Sequence, residues 1–172
     1  MIEILHAHRV HERIFLAGMG KDVSRIYGEF HSYIKNPRSF SEAYSAVKHV
    51  GGRDERKKLV ERPCVIIATA GMLEGGPALD FIDRLNKTGK GAIFLTGYQV
   101  KGTNGKRLLD EGRLKDKGVS KKIVLPVKII NLSAHEGRKG LFDYVKQLNP
   151  ERVFCVHGDQ ENCDLFAREL RE

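Results

Sequence analysis

The sequence has no apolar run long enough to cross a membrane. The longest, Cys64-Val65-Ile66-Ile67-Ala68, is of strand length, against the roughly 20 apolar residues a spanning helix needs. The first residues, Met1-Ile2-Glu3-Ile4-Leu5-His6, place no basic region ahead of an apolar stretch, so no secretory signal is read there. A cytoplasmic protein with no membrane partner is expected. Cysteine is scarce: three residues, odd in number and scattered. Cys64 and Cys155 sit inside apolar runs, as buried free thiols do, and this setting argues against a disulfide framework. Internal repeats, low-complexity tracts and long linkers are also lacking.

What is present suits one compact domain, or one and a small piece of another: 172 residues, 41% of them apolar. The net charge is +8, and its placement says more than its size. Residues 101–128 hold nine bases and three acids, a local charge of +6, whereas residues 133–172 hold six bases and eight acids, or −2. A basic stretch attracts a polyanion such as RNA. It is equally the composition of a solvated helix and loop, and charge alone leaves both readings open.

Helical and strand periods alternate along the chain, as in an α/β domain. A first helix is predicted over residues 2–12 and a short strand over Ile14–Ala17. Val23, Ile26, Tyr27, Phe30 and Ile34 then recur on one face of an amphipathic helix, which Asn36-Pro37 ends. A strand is expected around residues 46–50, a charged helix around 53–61, and a parallel strand covered on both faces at 64–68. Leu79, Ile82 and Leu85 mark the next helix, and residues 92–95 a further central strand. Residues 123–132 read as one or two strands broken at Pro126. A helix over 138–148, a strand over 153–156 and a helix over 160–170 complete the pattern. The polar stretch 112–122 is the weakest seam. The fold class expected is α/β, a mostly parallel sheet with helices on both faces. Ile66, Ile67, Ile93, Phe94, Leu95, Val153 and Phe154 are expected to be buried in it.

In such a sheet, ligands bind beyond the C-terminal ends of the strands, and four turns fall there. The first, residues 69–77, contains Gly71, Gly75 and Gly76 and ends in Pro77, a natural first helical residue. Free N–H groups at that helix start would hold a phosphate; the plainer reading is a tight strand-to-helix turn. The second, residues 97–103, carries Tyr98, Lys101, Gly102 and Thr103, with Lys106 and Arg107 just beyond. Thr103 is a good N-cap. Tyr98 is placed either to stack on a base or to sit half-buried in the core. The third turn contains Ser133-Ala134-His135, and the fourth is Val156-His157-Gly158-Asp159. Each places a histidine between an apolar run and a helix. One such histidine is ordinarily structural; two at matching places point to a shared site. Neutral imidazole is a common metal ligand and needs an acidic or carbonyl partner on its other nitrogen, which Asp159 supplies to His157.

These blocks carry a family resemblance. Ser133-Ala134-His135, followed by Val156-His157-Gly158-Asp159, resembles the last two motif blocks of the β-CASP metallo-β-lactamase ribonucleases. That family includes the nuclease subunit of the cleavage and polyadenylation specificity factor, its archaeal homologues and, more distantly, RNase J. Residues 68–76 and 97–103 resemble its two glycine-rich turns, in order and spacing. Gly18-Met19-Gly20 and the helix after it resemble the start of the β-CASP insert. The resemblance implies a Rossmann-type β-CASP-like domain over 1–122, in partial form. It also implies a C-terminal RNA-specificity and metallo-β-lactamase return segment over 123–172. It implies RNA as partner and zinc as the complete enzyme's cofactor, and the turn chemistry above makes Gly71, Gly75, Gly76, Tyr98, Lys101, Gly102, Thr103, Lys106 and Arg107 the expected RNA or phosphate contacts. His157 matches a zinc ligand, and His135 matches the histidine thought to protonate the leaving oxygen. Ser133 and Asp159 support them. Where the family often has Asp two residues beyond that histidine, this chain has Gly137.

The same resemblance exposes a gap. The family's chemistry uses two metal ions, held mainly by an N-terminal His-x-His-x-Asp-His motif. His6-Ala7-His8-Arg9-Val10-His11 has the spacing, but Val10 replaces the acid and the β-CASP-like text follows at once. It reads as a chance pattern on a helix. His31 and His49 read as surface or capping residues. Cys155 and His157, two apart on one strand face, are too few for zinc, which takes three protein ligands even in catalytic sites. The chain alone is expected to hold no zinc stably and to have little nuclease activity. Three readings follow: part of a ribonuclease whose other half lies elsewhere or on a second chain, a stand-alone RNA-binding module, or a nucleotide-binding or structural α/β domain. A homo-oligomer is compatible with each.

Overall fold

Asn36 and Pro37 begin a helix. The Asn36 side chain accepts from the Ser39 N–H at 3.1 Å, and Pro37 takes the first helical position, where its missing N–H costs nothing. The helix expected to run on to Asn36 instead stops at Glu29, and a 3-10 turn over His31–Tyr33 follows it. In the computed structural model, which describes residues 1–10, 13–130, 132 and 135–171, the order begins α1 (Ile2–Ala7), β1 (Ile14–Ala17), α2 (Gly20–Glu29) and a 3-10 turn (His31–Tyr33). It continues α3 (Pro37–Ser45), β2 (Lys48–His49), α4 (Arg53–Leu59), β3 (Val65–Ala68), α5 (Pro77–Thr88) and β4 (Ile93–Leu95). Then come α6 (Asn104–Glu111), β5 (Arg113–Asp116), β6 (Val119–Lys122), β7 (Val127–Ile129), α7 (Arg138–Leu148) and α8 (Gln160–Glu169). The chain divides into two units, Met1–Ser133 and Ala134–Glu172.

In the first unit, β1 lies between β2 and β3, all parallel, with Ile14 opposite Val65 and Leu16 opposite Ile67. Successive strand side chains point to opposite faces, and the core follows that rule. Ile14, Leu16, Val65 and Ile67 pack with Ile2 of α1 and Phe40 and Ala43 of α3. Phe15, Ala17, Ile66 and Ala68 pack with Leu59 of α4 and Phe81 of α5. Helices therefore cover both faces of this sheet, as an α/β domain requires. Ile66 and Ile67 are partly buried, one on each face.

Parallel pairing is found as expected, but among the described residues the strands form three sheets and not one. β4 pairs in parallel with β7 as a separate two-stranded sheet, and β5 and β6 make an antiparallel hairpin. Ile93 and Leu95 are buried against Ala78 and Ile82 of α5, Leu108 of α6 and Leu114. Phe94, expected inside, is 53% exposed, because a two-stranded sheet with one covered face leaves the alternate side chains outside. Val23, Ile26 and Tyr27 of α2, and Phe30 just past it, are likewise exposed, although the Tyr27 ring meets the core ring of Phe40 at 6.2 Å. Among the described residues, no helix is long and apolar enough to cross a membrane.

The second unit holds α7 and α8. The Phe142 and Phe166 rings meet at 4.5 Å between centroids, and Arg138 pairs with Glu169. The strand expected over 153–156 is not formed: this segment has no regular structure, and Phe154, expected buried, is 81% exposed, with Val153 also exposed. A strand needs a neighbouring strand for its N–H and C=O groups, and the described residues of this unit supply only helices.

Candidate functional site

Two glycine-rich turns follow β3 and β4. The first is fastened to the turn after β1, where the Met19 N–H donates to Thr69 Oγ1 at 3.0 Å. Gly76 has φ +76°, and a Cβ there would lie 2.8 Å from the Thr69 carbonyl oxygen. Only glycine fits that approach. Gly71 and Gly75 differ: a Cβ at either meets nothing within 4 Å, and neither has positive φ. No packing demand explains them, and they leave that rim of the turn open. Pro77 begins α5, whose start has no side-chain cap.

The second turn presents Tyr98 at 72% exposure, which removes the core-tyrosine reading. Beneath it Gln99 is buried, its side-chain amide donating to the Gly97 carbonyl at 3.0 Å. A Cβ at Gly105 would collide with the Gln99 side chain. Lys101 and Gly102 are exposed, with Gly102 at φ +88°. Thr103 caps α6 as predicted, Oγ1 accepting from the Lys106 N–H at 3.3 Å.

The next two N–H groups of α6 have partners within the chain. Asn104 N donates to Glu74 Oε1 at 2.5 Å, and Gly105 N to the Met72 carbonyl at 2.9 Å. A carboxylate at a helix N-terminus is favourable, so this helix start carries an internal anion. The Asn104 side chain donates to the Leu73 and Lys115 carbonyls at 3.0 and 2.8 Å and accepts from Lys115 N at 2.7 Å. Asn104 and Glu74 thus hold the two turns side by side. Sequence reasoning missed both; the available signal was an asparagine directly after a good N-cap.

The basic groups divide into paired and unpaired. Lys106 bonds Asp110 at 2.8 Å, Arg107 lies 3.9 Å from Glu111, and Lys121 bonds Asp83 at 2.8 Å. The bond to Asp110, with a smaller contribution from Tyr98, holds the Lys106 ammonium above its ordinary range.

In the second unit, His135 is exposed three residues before α7, and Gly137 is the N-cap of that helix. His157 is exposed at φ +72°, with Asp159 as the N-cap of α8 making no capping hydrogen bond. The two histidines share a place before a helix; the strand expected before His157 is lacking. Ser133 lies outside the described residues, as does His11. His6 ends its run on α1 and His8 lies just past it. Among the described residues, no three His, Cys, Asp or Glu side chains converge to hold a metal ion. His157, Cys155 and Asp159 do not converge into the set of at least three protein ligands that zinc takes, so the described residues do not fit it.

Residues 1–108 match the model of the Beta-Casp domain, and residues 121–172 match the Zn-dependent metallo-hydrolase RNA specificity domain. RNase aCSPSF2 of Saccharolobus solfataricus is 32% identical over 91% of this chain and 32% of its own length. Transcription termination factor FttA of Methanocaldococcus jannaschii is 30% identical over 92% of this chain and 28% of its own length. An RNase J-like protein of the same organism is 36% identical over 66% of this chain and 27% of its own. The chain thus spans about a third of the length of these relatives.

Proposed function

The chain belongs to the β-CASP family of RNA-processing metallo-hydrolases, and on that premise we propose that it is the RNA-engaging portion of a zinc ribonuclease, unable to cut RNA by itself. The observation that carries this reading is the lock between Asn104 and Glu74. It sets the open rim at Gly71 and Gly75 beside the turn that exposes Tyr98 and Lys101. A stacking ring beside a cation is how single-strand binders hold a strand without reading its sequence. Gly102 and Thr103 shape the turn that presents Lys101, and Lys106 and Arg107 extend the positive surface along α6. The proposed division into 1–122 and 123–172 lies close to residue 121, where the second matched domain begins.

Zinc is named in the description of the second matched domain. Since the donors present here do not fit it, His157 is proposed to complete a centre whose other ligands come from a His-x-His-x-Asp-His segment, in a longer form of the chain or a second polypeptide. Asp159, not engaged in capping α8, is proposed to orient the His157 ring. His135, with Ser133 beside it, is proposed to give its proton to the leaving oxygen. Gly137 stands where the family often has an acid beside this histidine.

The test incubates the purified chain with labelled single-stranded RNA and zinc, with a chelator control. Salt-dependent binding without chelator-sensitive cleavage is expected. Adding a separately expressed zinc-binding half should restore cutting. In that pair His157→Ala should lower zinc content and rate together, and His135→Ala should lower rate at nearly unchanged zinc content. Robust cleavage by the chain alone overturns the proposal. Binding that no zinc-bearing half converts into cutting would favour a stand-alone RNA-binding module.

A further inference from the structure

The polar stretch that looked like a seam is a built element. Lys117 and Gly118 both have positive φ, +48° and +82°, so β5 and β6 are joined by a two-residue turn of the primed kind that matches strand twist. The register places Arg113 opposite Lys122, Leu114 opposite Lys121 and Lys115 opposite Ser120. Opposed residues share a face, so the two faces can be compared directly.

The inner face is satisfied within the protein. Leu114 is buried in the core formed with α5 and α6. Lys121 reaches Asp83 on α5 at 2.8 Å and Asp116 at 3.5 Å. The outer face carries Arg113, Lys115, Ser120 and Lys122 and has no acid. Arg113 lies along it, Nε donating to Ser120 Oγ at 2.9 Å. Lys115, Lys117 and Lys122 are exposed. Among the described residues, no carboxylate pairs with these four cations; the acids nearby are spent on Lys106, Arg107 and Lys121.

Like charges directly opposite one another weaken a strand pair, and Arg113 opposite Lys122 is such a pair. Nothing in the packing requires it, since Leu114 and Lys121 anchor the hairpin from the other face. An arrangement that costs the fold and is compensated by no internal anion is one an external anion relieves. Along one strand, Arg113 and Lys115 are about 6–7 Å apart, which presents a row of charges and not a single point.

We propose that the β5–β6 hairpin is a second phosphate-contacting element, which grips the backbone of single-stranded RNA through Arg113, Lys115 and Lys122 on its outer face and Lys117 at its tip. It rests on the RNA-engaging reading above and adds to it a contact surface separate from Tyr98, Lys101, Lys106 and Arg107. The contact is with phosphates, so it supplies affinity and orientation without sequence preference.

The experiment measures binding of a labelled single-stranded RNA by the full chain across a salt series. Each phosphate contact contributes about −0.7 to the slope of log K against log salt. Lys115→Gln with Lys122→Gln should reduce the slope by about 1.4. Lys122→Glu, which gives Arg113 an opposite charge, should raise the unfolding midpoint while weakening RNA binding. Should the double variant keep the wild-type slope while Lys101→Ala, Lys106→Ala and Arg107→Ala together flatten it, the hairpin proposal is overturned and the RNA reading stands. Should the unaltered chain fail to bind at low salt, both fall.

Discussion

Asn104 and Glu74, thirty residues apart, are joined by a 2.5 Å bond from the Asn104 backbone N–H to the Glu74 carboxylate, and the Asn104 side chain makes three more bonds from a buried position. Asn104→Ala strips the Lys115 N–H and the Leu73 and Lys115 carbonyls of those partners. A buried group left without a partner costs ~1–3 kcal/mol, so a loss of about 2–4 kcal/mol in unfolding free energy is expected. Urea denaturation reads it; a loss under about 0.5 kcal/mol, the ordinary surface value, would show that the two turns are held by something else.

The three glycines of the first turn separate by cause. Gly76→Ala forces a side chain onto positive φ and against the Thr69 carbonyl. A cost of at least about 1–2 kcal/mol is expected, the usual penalty for left-handed backbone with a Cβ. Gly71→Ala and Gly75→Ala meet open space and should leave the unfolding midpoint nearly unchanged. If the open rim receives phosphate, those two variants lose RNA affinity at constant stability. Equal destabilisation by all three would refute the distinction.

Tyr98→Ala should cost RNA affinity and little else. A stacked base is worth about 1–3 kcal/mol by such a truncation, or roughly 5- to 150-fold in Kd. The ring is largely exposed, so stability should stay within about ±0.5 kcal/mol. Tyr98→Phe keeps the ring and should bind like the unaltered chain. A variant pair in which Phe is as weak as Ala would mean that the hydroxyl, and not stacking, makes the contact.

The hairpin's attachment to α5 sets a pH window. The Lys121 bond lowers the Asp83 pKa below the usual carboxylate value, and Asp83 in turn raises that of Lys121. A depressed acid contributes stability that is present above its unfolded pKa, about 3.9, and lost as pH falls through the folded value. A raised base contributes stability that is present below its unfolded pKa, about 10.4, and lost as pH rises through the folded value. The link should therefore be whole between about pH 4 and 10 and weaken beyond both ends. Asp83→Asn should flatten the acid limb of a stability–pH curve; an unchanged limb would assign it to other carboxylates.

Much of this protein was legible in one dimension, for reasons that particular residues make plain. The run Cys64–Ala68 is apolar at every position because β3 has a helix-covered core on each face. Thr103 caps α6 because a hydroxyl two to three residues ahead of free N–H groups needs no distant partner. The glycine-rich turns and the two histidine blocks, which carry the family, are contiguous strings, and contiguity is what a sequence displays. Other features depend on what lies across space. Whether β4 pairs with β3 or with β7 is a question of neighbours, and with β7 chosen, Phe94 faces outward although its residue type argues for burial. Residues 153–156 have strand composition but no strand beside them among the described residues of their own unit, so their N–H and C=O groups find no ladder there. The chain order of Lys115, Lys121 and Lys122 states three like charges; only the hairpin register sends Lys121 inward to Asp83 and leaves Lys122 facing out across from Arg113. Periodicity and local hydrogen bonding were settled by adjacent residues. Pairing, and with it which charges are spent and which remain to meet a ligand, was settled by the fold.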